Sequence, residues 1–218
     1  MYKLVVFDLD GTLLDTLIDL KEAVNQVYRE LGMRDLTYKE MRDAVGYGNR
    51  RLFEDTYRLL TNESANDAQL DEMVAKWSKN YEKCYLDQTV EYKDITKLLK
   101  HLTSKGIKLA VISNKKDEFT KKLIAKCFKE LEFVDVIGDS DKYPRKPDPT
   151  SLLAVASIAN VDIKDTLYVG DSENDFKVAR NAGCDSLLVT WGFRDKDVLK
   201  TYNPDYLCDS VEEIINLF

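Results

Sequence analysis

One histidine, His101, serves the whole 218-residue chain. That scarcity excludes a Ser-His-Asp triad, a phosphohistidine mechanism and a multi-histidine zinc site together. His101 sits among lysines and leucines in Ile95-Thr96-Lys97-Leu98-Leu99-Lys100-His101-Leu102 and reads as an ordinary, partly exposed helix residue. Cys84, Cys127, Cys184 and Cys208 are far apart and form no CxxC pair, so reduced thiols are expected rather than a disulfide framework. No apolar run approaches the ~20 residues needed to span a bilayer, which argues against a membrane partner. Asp8 and Asp10 interrupt the N-terminal apolar run, so no secretory leader is expected and a cytoplasmic location is. Basic residues are in deficit: 32 Lys and Arg against 39 Asp and Glu, a net charge of −7. A nucleic-acid partner is therefore not expected, although a local basic pocket for a small anion is compatible with that balance. There is no GxxxxGK[ST] loop, no GxGxxG, no internal repeat and no low-complexity segment.

With 44% hydrophobic and 33% charged residues, the chain can bury a core and stay soluble. The run Leu4-Val5-Val6-Phe7 reads as a buried parallel strand. Further strands are predicted at 107–113, 133–137, 166–170 and 184–190, separated by helical patterns at 94–104, 117–127, 149–159 and 173–182. This alternation predicts an α/β fold, a three-layer parallel sheet of Rossmann-like type with right-handed connections. Asp148-Pro149 reads as a helix start with Asp as cap and Pro at the first position. Ser210-Val211-Glu212-Glu213 reads as a capping box opening a last helix. The stretch between the first strand and the rest breaks the alternation. It reads as helices at 15–31, 37–45, 50–60 and 66–84, with a capping box at Thr37-Tyr38-Lys39-Glu40 and a polar connector at 61–66. The simplest organisation is a core of residues 1–15 and 87–218 with an inserted helical domain of residues 16–86, hinged near 14–16 and 86–92.

Chemistry-bearing residues recur at predicted strand ends. In Asp8-Leu9-Asp10-Gly11-Thr12 two carboxylates leave the strand side by side, because residues i and i+2 point the same way. Such neighbours repel unless a cation or a shared proton compensates. A charged turn after an edge strand is the competing reading. Ser113-Asn114-Lys115 ends a strand in a hydroxyl, an amide and a cation, a pattern that also serves ordinary turns and caps. Lys146 lies between Pro144 and Pro147, which stiffen its backbone. Gly170-Asp171-Ser172-Glu173-Asn174-Asp175 supplies a carboxylate at a strand end and another one helical turn later, or else a capped helix with Asp175 exposed. Parallel strands bring all four segments to one carboxyl edge. Hard oxygen ligands with no sulfur or imidazole select Mg²⁺. Mg²⁺, a lysine and a serine are what a phosphoryl group requires, since catalysis there is mainly positioning and charge neutralisation. An EF-hand is excluded, because Gly11 follows directly on the second Asp and the later acceptors are missing. In the helical insert, Val45-Gly46-Tyr47-Gly48-Asn49-Arg50-Arg51 offers Gly46 and Gly48 for close approach and Arg50 for a substrate carboxylate or phosphate. A helix–helix turn with solvated arginines is the alternative.

Asp8-Leu9-Asp10-Gly11-Thr12, Ser113-Asn114, Lys146-Pro147 and Gly170-Asp171-Ser172-Glu173-Asn174-Asp175 resemble, in order, the four motifs of the haloacid dehalogenase superfamily, and the helical insert resembles its C1 caps. The resemblance implies Asp8 as nucleophile forming a phosphoaspartate and Asp10 as acid to the leaving group and base for water. It assigns Thr12, Ser113, Asn114, Lys115 and Lys146 to the phosphate, with Lys146 also screening Asp8. Asp8, the Asp10 carbonyl and Asp171 are implied as Mg²⁺ ligands, supported by Asp175. The dehalogenases lack the second aspartate of the first motif, so Asp10 points to phosphate rather than halide chemistry. Val-Gly-x-Gly, Ser113-Asn114-Lys115 and Trp191-Gly192-Phe193 are similar to elements of phosphoglycolate phosphatases. The implied activity is hydrolysis of a small-molecule phosphate monoester by a monomer or homodimer. Related pyrophosphatases, nucleotidases, sugar-phosphate phosphatases and β-phosphoglucomutases share parts of the pattern. A phospho-accepting receiver-type signalling domain also uses Asp, Mg²⁺, Ser/Thr and Lys, but it needs neither a lid nor Asp10.

Overall fold

The structure is a computed structural model that describes residues 2–218. Its chain begins with β1 (Leu4–Phe7) and the two-residue β2 (Leu14–Asp15), then runs through helices α1 (Leu17–Glu30), α2 (Tyr38–Ala44), α3 (Asn49–Thr61) and α4 (Asp67–Cys84). After the two-residue β3 (Val90–Glu91) come α5 (Ile95–Ser104), β4 (Lys108–Lys116), α6 (Asp117–Cys127), β5 (Val136–Asp139) and α7 (Thr150–Ile158). A 3₁₀ turn then leads to β6 (Thr166–Gly170), α8 (Glu173–Ala182), β7 (Asp185–Val189), α9 (Lys196–Thr201), β8 (Tyr206–Cys208) and α10 (Val211–Ile215). Two compact units result: the chain through Leu14 together with Glu91–Phe218, and Asp15–Val90.

In the first unit six strands form one sheet in the order β5-β4-β1-β6-β7-β8. All its pairings are parallel, with β1 at the centre: Val5 lies beside Leu109 on one side and Leu167 on the other. Every β1 residue is buried because helices cover both faces of a parallel sheet. Leu4 and Val6 point into the cluster of Ala110, Ile112, Tyr168, Leu152 and Val155. Each such side chain removed from water contributes about 1.5–3 kcal/mol. Helix α5 buries Ile95, Leu98, Leu99 and Leu102, a stripe at helical spacing. Chain order diverges at β1, with β4 and β5 on one flank and β6 to β8 on the other, so the crevice of this sheet opens at the carboxyl end of β1.

The short elements β2, β3, β8 and α9, of two, two, three and six residues, lie outside the expected pattern because each is too short to display a period. Strand β4 runs to Lys116, past the expected end at Ser113, so Asn114 and Lys115 belong to the strand. Strand β5 starts at Val136 rather than at residue 133. Helix α7 starts at Thr150 with Pro149 in the cap position, and the Thr150 N–H donates to the Asp148 carboxylate at 2.9 Å. The four cysteines are unpaired. Among the described residues no helix is long and apolar enough to cross a membrane.

The second unit packs α1 against α4 and is locked by polar pins. Thr37 and Glu40 form the expected capping box, and Asn66 with Gln69 forms another. The Asp19 carboxylate, buried in the first turn of α1, accepts from Gln88 N (2.9 Å), Thr89 N (2.8 Å) and Thr89 Oγ1 (2.8 Å). It thereby ties the end of this unit back to its beginning. Asp19→Asn turns one acceptor into a donor facing those N–H groups. A loss of about 1–3 kcal/mol in urea denaturation is expected.

Candidate active site

The site grows from the ends of β1, β4 and β6. Asp8 prolongs the pairing of β1, its N–H donating to Val169 O at 2.9 Å, and its Oδ1 accepts the Leu9 N–H at 2.7 Å. The turn that follows requires Gly11, at φ 82°: a Cβ there would lie 2.3 Å from Asp171 Oδ2. Gly170 allows the same closeness on β6, where a Cβ would fall 2.2 Å from Asp175 Cγ. Asp8, Asp171 and Asp175 are all buried.

Lys146 enters from the loop before α7. Its ammonium group lies 2.7 Å from Asp175 Oδ1 and 3.0 Å from Asp8 Oδ1, and 5.6 Å above the Tyr168 ring. Asn114 holds this residue by the backbone: Asn114 Oδ1 accepts Lys146 N–H at 2.9 Å, and Asn114 Nδ2 donates to Lys146 O at 3.1 Å. Asp175 directs its other oxygen to Asp171 N (3.2 Å), Ser172 N (3.0 Å) and Ser172 Oγ (2.6 Å). Lys115, buried at the end of β4, donates to both Asp10 oxygens at 3.0 and 3.2 Å. Ser113 is buried, and its Oγ accepts the Lys115 N–H at 3.3 Å. Thr12 Oγ1 makes a long contact of 3.4 Å to Asp171 Oδ1.

Electrostatics follow from burial. Removal from water pushes the Asp8 carboxyl up, Lys146 pulls it back in part, and Asp175 and Asp10 raise it again, leaving it at about 7. Asp171 is raised well above the usual carboxylate range by burial and by Asp175 and Asp8. Burial alone would lower Lys146, but Asp175 and Asp8 outweigh it and keep the ammonium charged. With all groups ionised, Asp8, Asp10, Asp171 and Asp175 meet the ammonium groups of Lys115 and Lys146, and Arg194, which also draws Asp171 down, is itself paired with Glu173, so these groups carry an excess of two negative charges. Asp8, Asp171 and Asp175 each bring an oxygen within 4.8 Å of the others, so they could hold a metal ion. The donor set, all oxygen and short of positive charge, fits a hard divalent cation. The Asp10 carboxylate is outside this group and faces Lys115.

Within the sheet unit the sequence-predicted residues Asp8, Asp10, Thr12, Ser113, Asn114, Lys115, Lys146, Asp171 and Asp175 thus gather at one edge. Two have partners other than those expected: Asn114 clamps the Lys146 backbone, and Lys115 pairs with Asp10. Gly46, Gly48 and Arg50 belong to the helical unit, where Gly46 and Gly48 adopt φ 116° and 84°. Arg50 directs its two terminal nitrogens to Asp67 and Asp71 and so ties α3 to α4. The residue chemistry missed from sequence lies in the loop after β7. There the Phe193 N–H donates to Asp171 Oδ2 at 2.7 Å, and Arg194 pairs with the buried Glu173 at 3.0 Å. The run Trp191-Gly192-Phe193 was the available signal, though nothing local in it points to an aspartate twenty residues earlier.

A parallel α/β sheet whose carboxyl edge gathers aspartates from two adjacent strands, a buried lysine and a serine belongs to the doubly wound enzymes with an acidic centre at the switch point. The family model for haloacid dehalogenase-like hydrolases matches residues 5–189, and the chain belongs to that family. It is similar to a phosphoglycolate phosphatase from Vibrio parahaemolyticus, 32% identical over 221 residues that cover 99% of this chain and 95% of the relative. It also resembles one from Neisseria meningitidis, 35% identical, covering 96% of this chain and 91% of the relative. In fold it matches a haloacid dehalogenase-like family hydrolase from Streptococcus pneumoniae, with TM-score 0.88 and 23% identity over 100% of this chain and 98% of that one.

The raised carboxyls set a pH dependence. A group titrating at about 7 in the folded protein, against an ordinary 3.8, binds its proton more tightly when folded. Its contribution to stability is present below the ordinary value and is lost as pH rises toward 7. A bound divalent cation competes with that proton. Addition of about 5 mM Mg²⁺ is expected to raise Tm more at about pH 7.5 than at about pH 5.5 in differential scanning fluorimetry.

Proposed function

We propose that the protein hydrolyses a small-molecule phosphate monoester, with Mg²⁺, through an aspartyl phosphate on Asp8. The carrying observation is the buried Asp8 carboxylate with the Lys146 ammonium at 3.0 Å, inside an oxygen-only acidic cluster. Asp8 attacks phosphorus, the ester P–O bond breaks, and Asp10 gives its proton to the leaving alkoxide. Asp10 then takes a proton from water, whose oxygen attacks the same phosphorus, freeing Asp8 and inorganic phosphate. Splitting the hydrolysis in this way replaces one hard step by two easier ones. Ser113 and Lys146 are the proposed binders of the phosphate oxygens. Lys115 is the proposed support that holds the Asp10 carboxylate in line with the leaving group. Mg²⁺, held by Asp8, the Asp10 carbonyl and Asp171, with Asp175 supporting, supplies the positive charge that offsets repulsion between carboxylate and phosphate.

The full-length likeness to proteins named phosphoglycolate phosphatase supports phosphoglycolate as the ester. The helical unit is the proposed seat of substrate choice, with Gly46 and Gly48 giving backbone access and Arg50 acting as the tie between α3 and α4. A phosphate-release screen over phosphoglycolate, sugar phosphates, nucleotides, pyrophosphate and p-nitrophenyl phosphate tests the reading. Phosphoglycolate should give the highest kcat/KM, by roughly tenfold or more. Asp8→Asn should lower kcat by roughly 10³-fold or more, and chelation of Mg²⁺ should abolish turnover. Full turnover in Asp8→Asn would overturn the mechanism. Lys115→Met should lower kcat by roughly 10²-fold on phosphoglycolate but much less on p-nitrophenyl phosphate, whose leaving group hardly needs a proton.

A further inference from the structure

The loop that follows β7 approaches the acidic centre more closely than any side chain would permit. A Cβ on Gly192 would lie 2.3 Å from Asp171 Cβ, 2.4 Å from Asp171 Oδ2 and 2.4 Å from Gly11 O. Two of those contacts are with a carboxylate and its stem and the third is with backbone, so none can swing aside as a flexible chain end would. The backbone of Gly192 is outside the left-handed region, so the demand for glycine here comes from contact alone. On either side the loop makes a directed bond. Phe193 N–H donates to Asp171 Oδ2 at 2.7 Å, and Trp191 Nε1–H donates to Thr12 O at 3.1 Å. Thr12 in turn reaches Asp171 Oδ1 with its hydroxyl at 3.4 Å. Arg194, the next residue, is fastened to Glu173 at the start of α8, two residues beyond Asp171. Residues 191–194 therefore grip both the turn after Asp8 and the carboxylate of Asp171.

We infer that the loop of Trp191, Gly192 and Phe193 is the positioning element of the metal site, fixing the orientation of Asp171 relative to Asp8 and so setting the affinity for the divalent cation. The inference rests on the proposed Mg²⁺ site. The Phe193 amide ties one Asp171 oxygen, leaving Oδ1, which the Thr12 hydroxyl approaches at 3.4 Å, as the oxygen offered to a cation. The Trp191 indole holds the Asp8 turn at the matching height. Groups that orient a metal ligand in this way typically change affinity by 10–100-fold when lost.

Isothermal titration calorimetry of the metal-free full-length protein with Mg²⁺, and with Mn²⁺ as a second probe, tests this without turnover. Gly192→Ala is expected to raise the Mg²⁺ dissociation constant at least about tenfold, with the circular dichroism spectrum unchanged. Trp191→Phe keeps an aromatic ring, though a smaller one beside Tyr92, loses the indole N–H bond to Thr12 O, and is expected to raise it about three- to tenfold; it carries the test if Gly192→Ala fails to fold. Asp171→Asn separates the two readings. If it abolishes Mg²⁺ binding while the folded loop variant binds within twofold of the wild type, the loop inference is overturned and the site stands. If Asp171→Asn itself binds Mg²⁺ normally, the proposed metal site fails, and the inference with it.

Discussion

The ammonium group of Lys146, out of water between Asp8 and Asp175, is the interaction on which the rest of the centre depends. A buried lysine on its own would shed its proton, and buried carboxylates on their own would take one up. Placed together they compensate in part: Asp175 and Asp8 hold the Lys146 ammonium charged, Lys146 draws the Asp8 carboxyl part of the way back down, and each would be costly without the other. The requirement reaches outward. Asn114 grips the Lys146 backbone from both sides. The Tyr168 ring presents its face to the ammonium, while its hydroxyl is anchored to Ile112 O at 3.0 Å. Asp175 is in turn pinned by two backbone amides and the Ser172 hydroxyl. One lysine cannot balance the cluster, and the remaining negative charge suits the edge to a cation.

Such density of charge requires that backbone come very near to carboxylate. Gly11, Gly170 and Gly192 serve that need at three points around Asp171 and Asp175, each where a Cβ would fall under 2.5 Å from an aspartate atom. Gly138 in β5 meets a different need, the approach of backbone to backbone, where a Cβ would fall 2.3 Å from Asp117 Cα. The parallel sheet makes this economy possible, since it delivers the ends of β1, β4 and β6 to one edge in register and leaves the helices to shield both faces.

Much of this was legible in the residues. Strand β6 and helices α6 and α8 run where their periodicity says, because each has an unbroken apolar pattern and a clear stop. Three of the four motifs were recognisable because chemistry-bearing side chains directly follow apolar runs, whereas Lys146, in the loop between β5 and α7, was marked by its flanking prolines. The ends of β4 and β5 were not legible: there the pairing continues into polar residues, and hydrogen-bonded register rather than hydrophobicity sets the boundary. The three residues of β8 carry no period at all.

The residue order therefore marked a set of polar groups and that they would share an edge, because alternation of strand and helix admits few arrangements. It left open whom each group meets. Lys115 and Asp10 are 105 positions apart, and Phe193 and Asp171 are 22 apart with a strand and a helix between them. Arg50 finds Asp67 and Asp71 because α3 turns back along α4, although its place in a glycine-rich turn suggested a ligand. Such pairings depend on sheet order and on helix packing, which no local pattern encodes. That is why the polar groups of the edge could be read from the chain, whereas the bonds that orient them came from the folded molecule.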